Sequence, residues 1–154
     1  EVRRFVDNLH DYEDVYSLKE KATELVNSYK NEFKNLNFTY EGNEFAYAKI
    51  IRRNLFYILQ ECLTNIQKHA HAENVSVEVN FKAREVVLHI KDDGVGFKVN
   101  KNGNQAGHYG LASIRQRVEM FNGTLNIVSN DNNKNKKKRG TTIEVQIPLR
   151  QENP

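Results

Sequence analysis

Three groups of residues have types and spacings that chemistry can use. Glu61, Asn65 and Lys68 stand at i, i+4 and i+7. On a helix, 100° per residue sets this carboxylate, amide and cation on one polar stripe. Such a row suits Mg²⁺ and polyphosphate, because hard oxygen ligands hold the metal or its waters while Lys68 or the adjacent His69 meets phosphate oxygen. It equally suits a solvated helix face. Next, Asp92, Asp93, Gly94, Val95, Gly96 and Phe97 follow directly on an alternating apolar run. A carboxylate at a strand end can accept from an exocyclic amine such as that of adenine, and the glycines let backbone approach a ligand. An Asp-Gly turn is the plainer alternative. Finally, Gly107, His108, Tyr109, Gly110 and Leu111 lead into a helical pattern, so N–H groups at the helix start would face an anion. No Lys-Ser or Lys-Thr follows these glycines, which excludes a Walker loop, and the spacing is not the Rossmann fingerprint. Gly140, Thr141 and Thr142 open the final strand pattern and offer a hydroxyl, although Thr suits a strand without any function.

These residues need elements to hold them. Val2, Phe5, Val6 and Leu9 predict the end of a helix over residues 1–10. Ser17 with Glu20 gives a capping box, and Leu18, Ala22, Leu25, Val26, Tyr29 and Phe33 continue a helical stripe behind it. Leu36, Phe38 and Tyr40 alternate, predicting a short strand closed by Gly42. From about Tyr47 to Ala70 the apolar positions Ile51, Leu55, Ile58, Leu59, Cys62, Leu63 and Ile66 predict one unbroken helix. Val75 to Phe81 and Val86 to Ile90 alternate about a polar turn, predicting an antiparallel hairpin. The polar loop of residues 94–107 is long enough to be functional. Leu111, Ile114, Val118 and Phe121 restore helical spacing until Asn122 and Gly123 stop it. Strands around Leu125 and Ile127 and from Ile143 to Leu149 complete the set, flanking an Asn/Lys-rich loop. This intermixed order predicts an α/β (α+β) two-layer sandwich with helices on one face of the sheet.

Composition narrows the function classes. The chain has 154 residues, 38% of them hydrophobic and 28% charged, which fits a single globular domain. No apolar run reaches the ~20 residues of a membrane span, and no signal-peptide pattern opens the chain, which reads as excised from something longer. The net charge of +3 contains Lys134, Lys136, Lys137, Lys138 and Arg139, so without this one loop 18 positive charges face 20 negative, a balance of −2. The surface is therefore not built to track a nucleic-acid backbone. Cys62 is the single cysteine and lies on the apolar stripe, which makes it a buried thiol of a reducing compartment rather than a nucleophile paired with His69 or His71. His10 beside Asp11 reads as a surface histidine at a helix end.

Taken in order, Glu61-Cys-Leu-Thr-Asn65-Ile-Gln-Lys68-His69-Ala70, Asp92-Asp-Gly94-Val-Gly96-Phe97, Gly107-His108-Tyr-Gly110-Leu111 and Gly140-Thr-Thr142 resemble the N, G1, G2 and terminal Gly-Thr boxes of the histidine-kinase ATPase domain. The resemblance covers residues 47–149 closely, and it is to the branch that includes nitrate and membrane-fluidity sensors. It implies a Bergerat-type ATP-binding fold with a mixed, largely antiparallel sheet. It also implies three segments: the end of a dimerisation helix and connector (1–16), the ATPase domain (17–150) and a tail (151–154).

The resemblance carries roles with it. Asn65 and Glu61 would serve Mg²⁺, and Lys68 and His69 would lie near the phosphates. Asp92 would read the adenine amine, while Gly94 and Gly96 would let the chain approach the nucleotide. Residues 98–106 would form a short lid. Gly107, His108, Gly110 and Leu111 would border the phosphates, and Thr142 would support adenine through water. The implied activity is transfer of the ATP γ-phosphoryl to a histidine on a dimerisation helix, for relay to a response regulator. That histidine lies farther upstream in the family than His10 does here. The expected location is cytoplasmic, as part of a membrane-anchored sensor, with no nucleic-acid partner and no membrane contact by these residues. The alternatives are a non-catalytic nucleotide-sensing or protein-docking module, and an anti-sigma-factor-like serine kinase. The basic loop before Gly140 has no counterpart in the resemblance.

Overall fold

The computed structural model describes residues 16–98, 109–131, 135 and 137–149. Five strands form one sheet: β1 (Asn35–Gly42), β2 (Asn74–Phe81), β3 (Glu85–Asp92), β4 (Thr124–Asn130) and β5 (Gly140–Pro148). Their order is β1-β2-β3-β5-β4, with β1 parallel to β2 and every other pair antiparallel. Helices α1 (Leu18–Tyr29), α2 (Lys49–Asn65) and α3 (Tyr109–Met120) supply the second layer. The α+β two-layer sandwich and its mixed sheet are as expected.

Alternation decides which face of the sheet is covered. Val75, Val77, Val79 and Phe81 of β2, Val86, Leu88 and Ile90 of β3, and Ile143, Val145 and Ile147 of β5 are buried, while the residues between them face the other side. Against that face lie Ile51, Leu55, Ile58, Leu59, Cys62 and Leu63 of α2, which recur at helical spacing. Leu18, Ala22 and Val26 of α1 and Leu111, Ile114 and Val118 of α3 complete the core.

Ser17 is the N-cap of α1, with Glu20 N–H donating to Ser17 Oγ at 3.2 Å. A second cap comes from a short 3₁₀ turn, Glu44–Ala46, which sequence periodicity did not reveal. The buried Glu44 carboxylate accepts from the N–H groups of Leu18 at 2.6 Å and Lys19 at 3.1 Å. Arg52 balances this charge at 3.4 Å and also donates to the carbonyls of Tyr47 and Tyr16. Two orphan donors of α1 and two buried charges are thus satisfied together.

The long helix differs from its expectation of residues 47–70. The α-helix starts at Lys49, and its last stretch, Ile66–Ala70, is a π turn that leaves through His71 in the left-handed region (φ 50°). The carbonyl of Ala70 accepts the Val95 N–H at 2.7 Å, so this widened turn is tied to the glycine loop. The expected helix over residues 1–10 and much of the expected lid lie outside the described residues.

Candidate functional site

A cleft of about 290 Å³ opens where β3 ends and β5 begins. Cys62, Asn65, Ile66, His69 and Ala70 wall one side. Asp92, Thr141 and Ile143 come from the sheet, Val95, Gly96 and Phe97 from the glycine loop, and Leu111 from α3. A mostly apolar lining with a few convergent polar groups is what a small-molecule site requires, and the volume is near the lower end for such sites.

Asp92 is 5% exposed, and its Oδ1 accepts the Gly94 N–H at 2.8 Å. Burial pushes its carboxyl up to about 6, and the charge of Asp93 adds to this, while the N–H groups of Gly94 and Thr141 work in the opposite sense. A carboxylate accepts at about four lone-pair sites, so capacity remains for a ligand amine. Asp93 has a different duty. Its carboxylate accepts from the Glu73 and Asn74 N–H groups and from Asn74 Nδ2, at 2.9, 2.9 and 2.6 Å, pinning the start of β2 to the end of β3. Burial acts to raise its titration, but these donors hold it below the ordinary value.

Gly96 needs its missing side chain. Its φ is +66°, and a Cβ there would stand 2.0 Å from the Asn130 carbonyl oxygen, so the loop is seated against the end of β4. Gly110 brings two of the sequence groups together. A Cβ on it would lie 2.6 Å from Asn65 Nδ2, 2.7 Å from Glu61 Oε1 and 3.0 Å from Asn65 Oδ1. The first turn of α3 therefore rests on the carboxylate and amide of α2, with helix N–H groups and two hard oxygens in one corner.

Other expected residues fare differently. His69 lines the cleft, whereas Lys68 is exposed and is not among the lining residues. Leu111 lines the cleft, and Gly107 and His108 lie outside the described residues. Thr142 is corrected: it pairs in register with Lys91 and points to the face of the sheet away from the cleft. Thr141, paired with Asp92, carries the hydroxyl that lines the cleft. The alternation of Ile143, Val145 and Ile147 already contained this assignment, because position 141 shares their face. Ser129 is a further residue that sequence reasoning passed over. It accepts the Phe97 N–H at 2.9 Å and stands 2.7 Å from Thr141 Oγ1. Cys62 is buried, and burial pushes its thiol well above the ordinary range, as expected of a packing residue.

Comparison with known proteins gives a consistent result. Residues 51–151 match the family described as histidine kinase-, DNA gyrase B-, and HSP90-like ATPase. The chain is 39% identical over 100 residues to the sensor histidine kinase YdfH of Bacillus subtilis, covering 64% of this chain and 23% of that protein. It is 30% identical over 132 residues to LiaS, a sensor histidine kinase of the same organism, covering 86% and 34%. The chain thus spans about a quarter to a third of these relatives. Among solved structures, the catalytic domain of histidine kinase ThkA superposes with a TM-score of 0.64 at 14% identity, covering 89% of this chain and 97% of that one. That likeness shows the fold.

Proposed function

The chain belongs to the histidine kinase-, DNA gyrase B-, and HSP90-like ATPase family, and from that premise we propose that it is the ATP-binding catalytic domain of a sensor histidine kinase. It hands the γ-phosphoryl to a histidine of a dimerisation helix for relay to a response regulator. The observation that carries the reading is the two-ended cleft, with Asp92 and Thr141 on the sheet and the corner of Glu61, Asn65 and Gly110 at the helices.

Asp92 accepts from the adenine amine, and Thr141 offers its hydroxyl beside it. Phe97, Leu111 and Ile143 give the base an apolar surround. At the other end, the oxygens of Glu61 and Asn65 form a hard donor set that would hold Mg²⁺, which would supply neutralisation of phosphate charge there. Among the described residues no group of three or more His, Cys, Asp or Glu could hold a metal ion, so the corner relies on the nucleotide's own oxygens. His69 faces the phosphates from the π turn, and Lys68 contributes long-range positive charge. Gly110 and Leu111 border the phosphates from the start of α3, and Gly107 and His108 are assigned the same role on the resemblance. The protein's catalytic contribution is positioning and charge stabilisation.

Residues 1–16 then serve as the end of the dimerisation helix and connector, 17–150 as the ATPase domain and 151–154 as a tail. No helix among the described residues is long and apolar enough to cross a membrane; we place the domain on the cytoplasmic side of a membrane-anchored sensor. Calorimetric titration of ATP with and without Mg²⁺ tests the site. Micromolar to submillimolar binding, altered by Mg²⁺ and weakened in Asp92→Asn, is expected, whereas silence from a folded sample refutes the reading. Phosphoryl transfer to a separately made dimerisation domain tests catalysis.

A further inference from the structure

We propose that Ser129 is a positioning residue that fixes the polarity of the Thr141 hydroxyl and thereby sets the preference of the cleft for adenine over 6-oxopurines. The proposal rests on reading the cleft as an adenine-nucleotide site. Ser129 sits on β4 opposite Thr141 of β5, where their hydroxyl oxygens are 2.7 Å apart. Its Oγ already accepts the Phe97 N–H at 2.9 Å. Ser129 has one proton to give and two acceptors in reach: Thr141 Oγ1 at 2.7 Å and the Gly140 carbonyl at 3.4 Å. Either hydroxyl could donate across the 2.7 Å contact, but donation by Thr141 would leave the Ser129 proton only the Gly140 carbonyl at 3.4 Å, beyond the normal O–H···O range, so the arrangement that satisfies both hydroxyls has Ser129 donating to Thr141. Thr141 then keeps its own proton for an acceptor in the cleft, met directly or through one water.

Asp92, the register partner of Thr141, presents an acceptor beside that donor. An acceptor next to a donor matches the amine and adjacent ring nitrogen of adenine. It mismatches the carbonyl and ring N–H of guanine or hypoxanthine, which offer the reverse pattern. A site that leaves buried polar groups unpaired rejects the wrong ligand. The same Ser129 holds the backbone of the glycine loop through Phe97, so base polarity and loop position share one side chain.

The test is calorimetric titration of ATP and inosine triphosphate, which differ at this edge alone, into the wild type, Ser129→Ala, Thr141→Val and the double variant. Wild type prefers ATP. Ser129→Ala lowers the ATP-to-ITP affinity ratio about tenfold, the factor one neutral hydrogen bond carries, and lowers it no further in the Thr141→Val background. Equal weakening of both nucleotides, an unchanged ratio, or additive losses in the double variant would overturn the proposal and leave Ser129 a loop brace. If Ser129→Ala does not fold, Ser129→Cys, a weaker donor of similar size, must lower the ratio in part. Wild type that binds neither nucleotide defeats the nucleotide reading itself; wild type that discriminates while Ser129→Ala keeps the ratio defeats only the role of Ser129.

Discussion

Gly110→Ala separates the phosphate corner from the fold. The added methyl would stand 2.6 Å from Asn65 Nδ2 and 2.7 Å from Glu61 Oε1, against 3.4 Å for the inner edge of ordinary contact, so each atom must retreat by about 0.7–0.8 Å. Both are the far ends of side chains, which can swing at about 0.5–1.5 kcal/mol each if pushed off their rotamers. Alanine returns up to about 1 kcal/mol of helix propensity relative to glycine. The net effect on stability is a loss of about 0–3 kcal/mol, or up to roughly 10 °C in Tm. Reaction geometry is less forgiving, since misplacement of about 1 Å costs on the order of 100-fold. We expect ATP-dependent phosphoryl transfer to a separately made dimerisation domain to fall about 10–100-fold, while Mg²⁺-free adenosine binding at the Asp92 wall stays within about twofold. Transfer at the wild-type rate from a folded Gly110→Ala protein would refute the assignment of Glu61 and Asn65. Loss of adenosine binding together with thermal stability would show that α3, not the two side chains, had moved.

Further expectations follow from the same geometry. The Asp92 carboxyl titrates near 6 in the fold against 3.8 for the free side chain, so the stability associated with its neutral form is complete below about pH 4 and is lost as pH rises through 6. Asp92→Asn should therefore raise stability at pH 7.5 by at most about 2–3 kcal/mol, with a corresponding rise in Tm, flatten the pH 4–7 stability profile and weaken ATP binding; a lower Tm in this variant would contradict the burial argument. Thr141→Val should weaken ATP binding about tenfold while Thr142→Val leaves it unchanged in the same titration, and the reverse result would mean that the face assignment of β5 fails. Glu44→Gln leaves Arg52 without its buried partner and weakens the second cap of α1, which should lower stability by about 3 kcal/mol in urea unfolding; a change below 0.5 kcal/mol, typical of an exposed pair, would be inconsistent with that burial.

Most of the cleft was legible because its residues sit on elements whose periodicity is strong. The α2 stripe from Ile51 to Leu63 fixed which face met the sheet, and hence that Glu61 and Asn65 flank it. The β2 and β3 alternation set Asp92 at the end of a buried strand with its carboxylate inward. What escaped depends on tertiary contacts. The π turn at Ile66–Ala70 is bound to a loop more than twenty residues onward, and Glu44 caps a helix 26 residues before it. Neither leaves a local pattern. The Thr141 assignment was readable from the period of β5, but attaching the hydroxyl to Thr142 ignored the parity that a two-residue repeat enforces. Ser129 is a small polar residue in a strand, and only its pairing with Thr141 distinguishes it.

The order of the sheet has a consequence for the chain as it is made. β5 is the last of the five strands in sequence, yet it lies between β3 and β4. A nascent chain completed as far as Asn130 contains the three described helices and four of the strands, but β3 has an open hydrogen-bonding edge and β4, which pairs with β5 alone, has no partner strand. Asp92 then has no Thr141 beside it, and the cleft lacks part of its wall. Addition of residues 140–148 closes the β3 edge, brings β4 into the sheet and completes the pocket. On the reading proposed above, the site for nucleotide is therefore complete only with the final strand, and a chain released early exposes unpaired strand edges in place of a finished cleft.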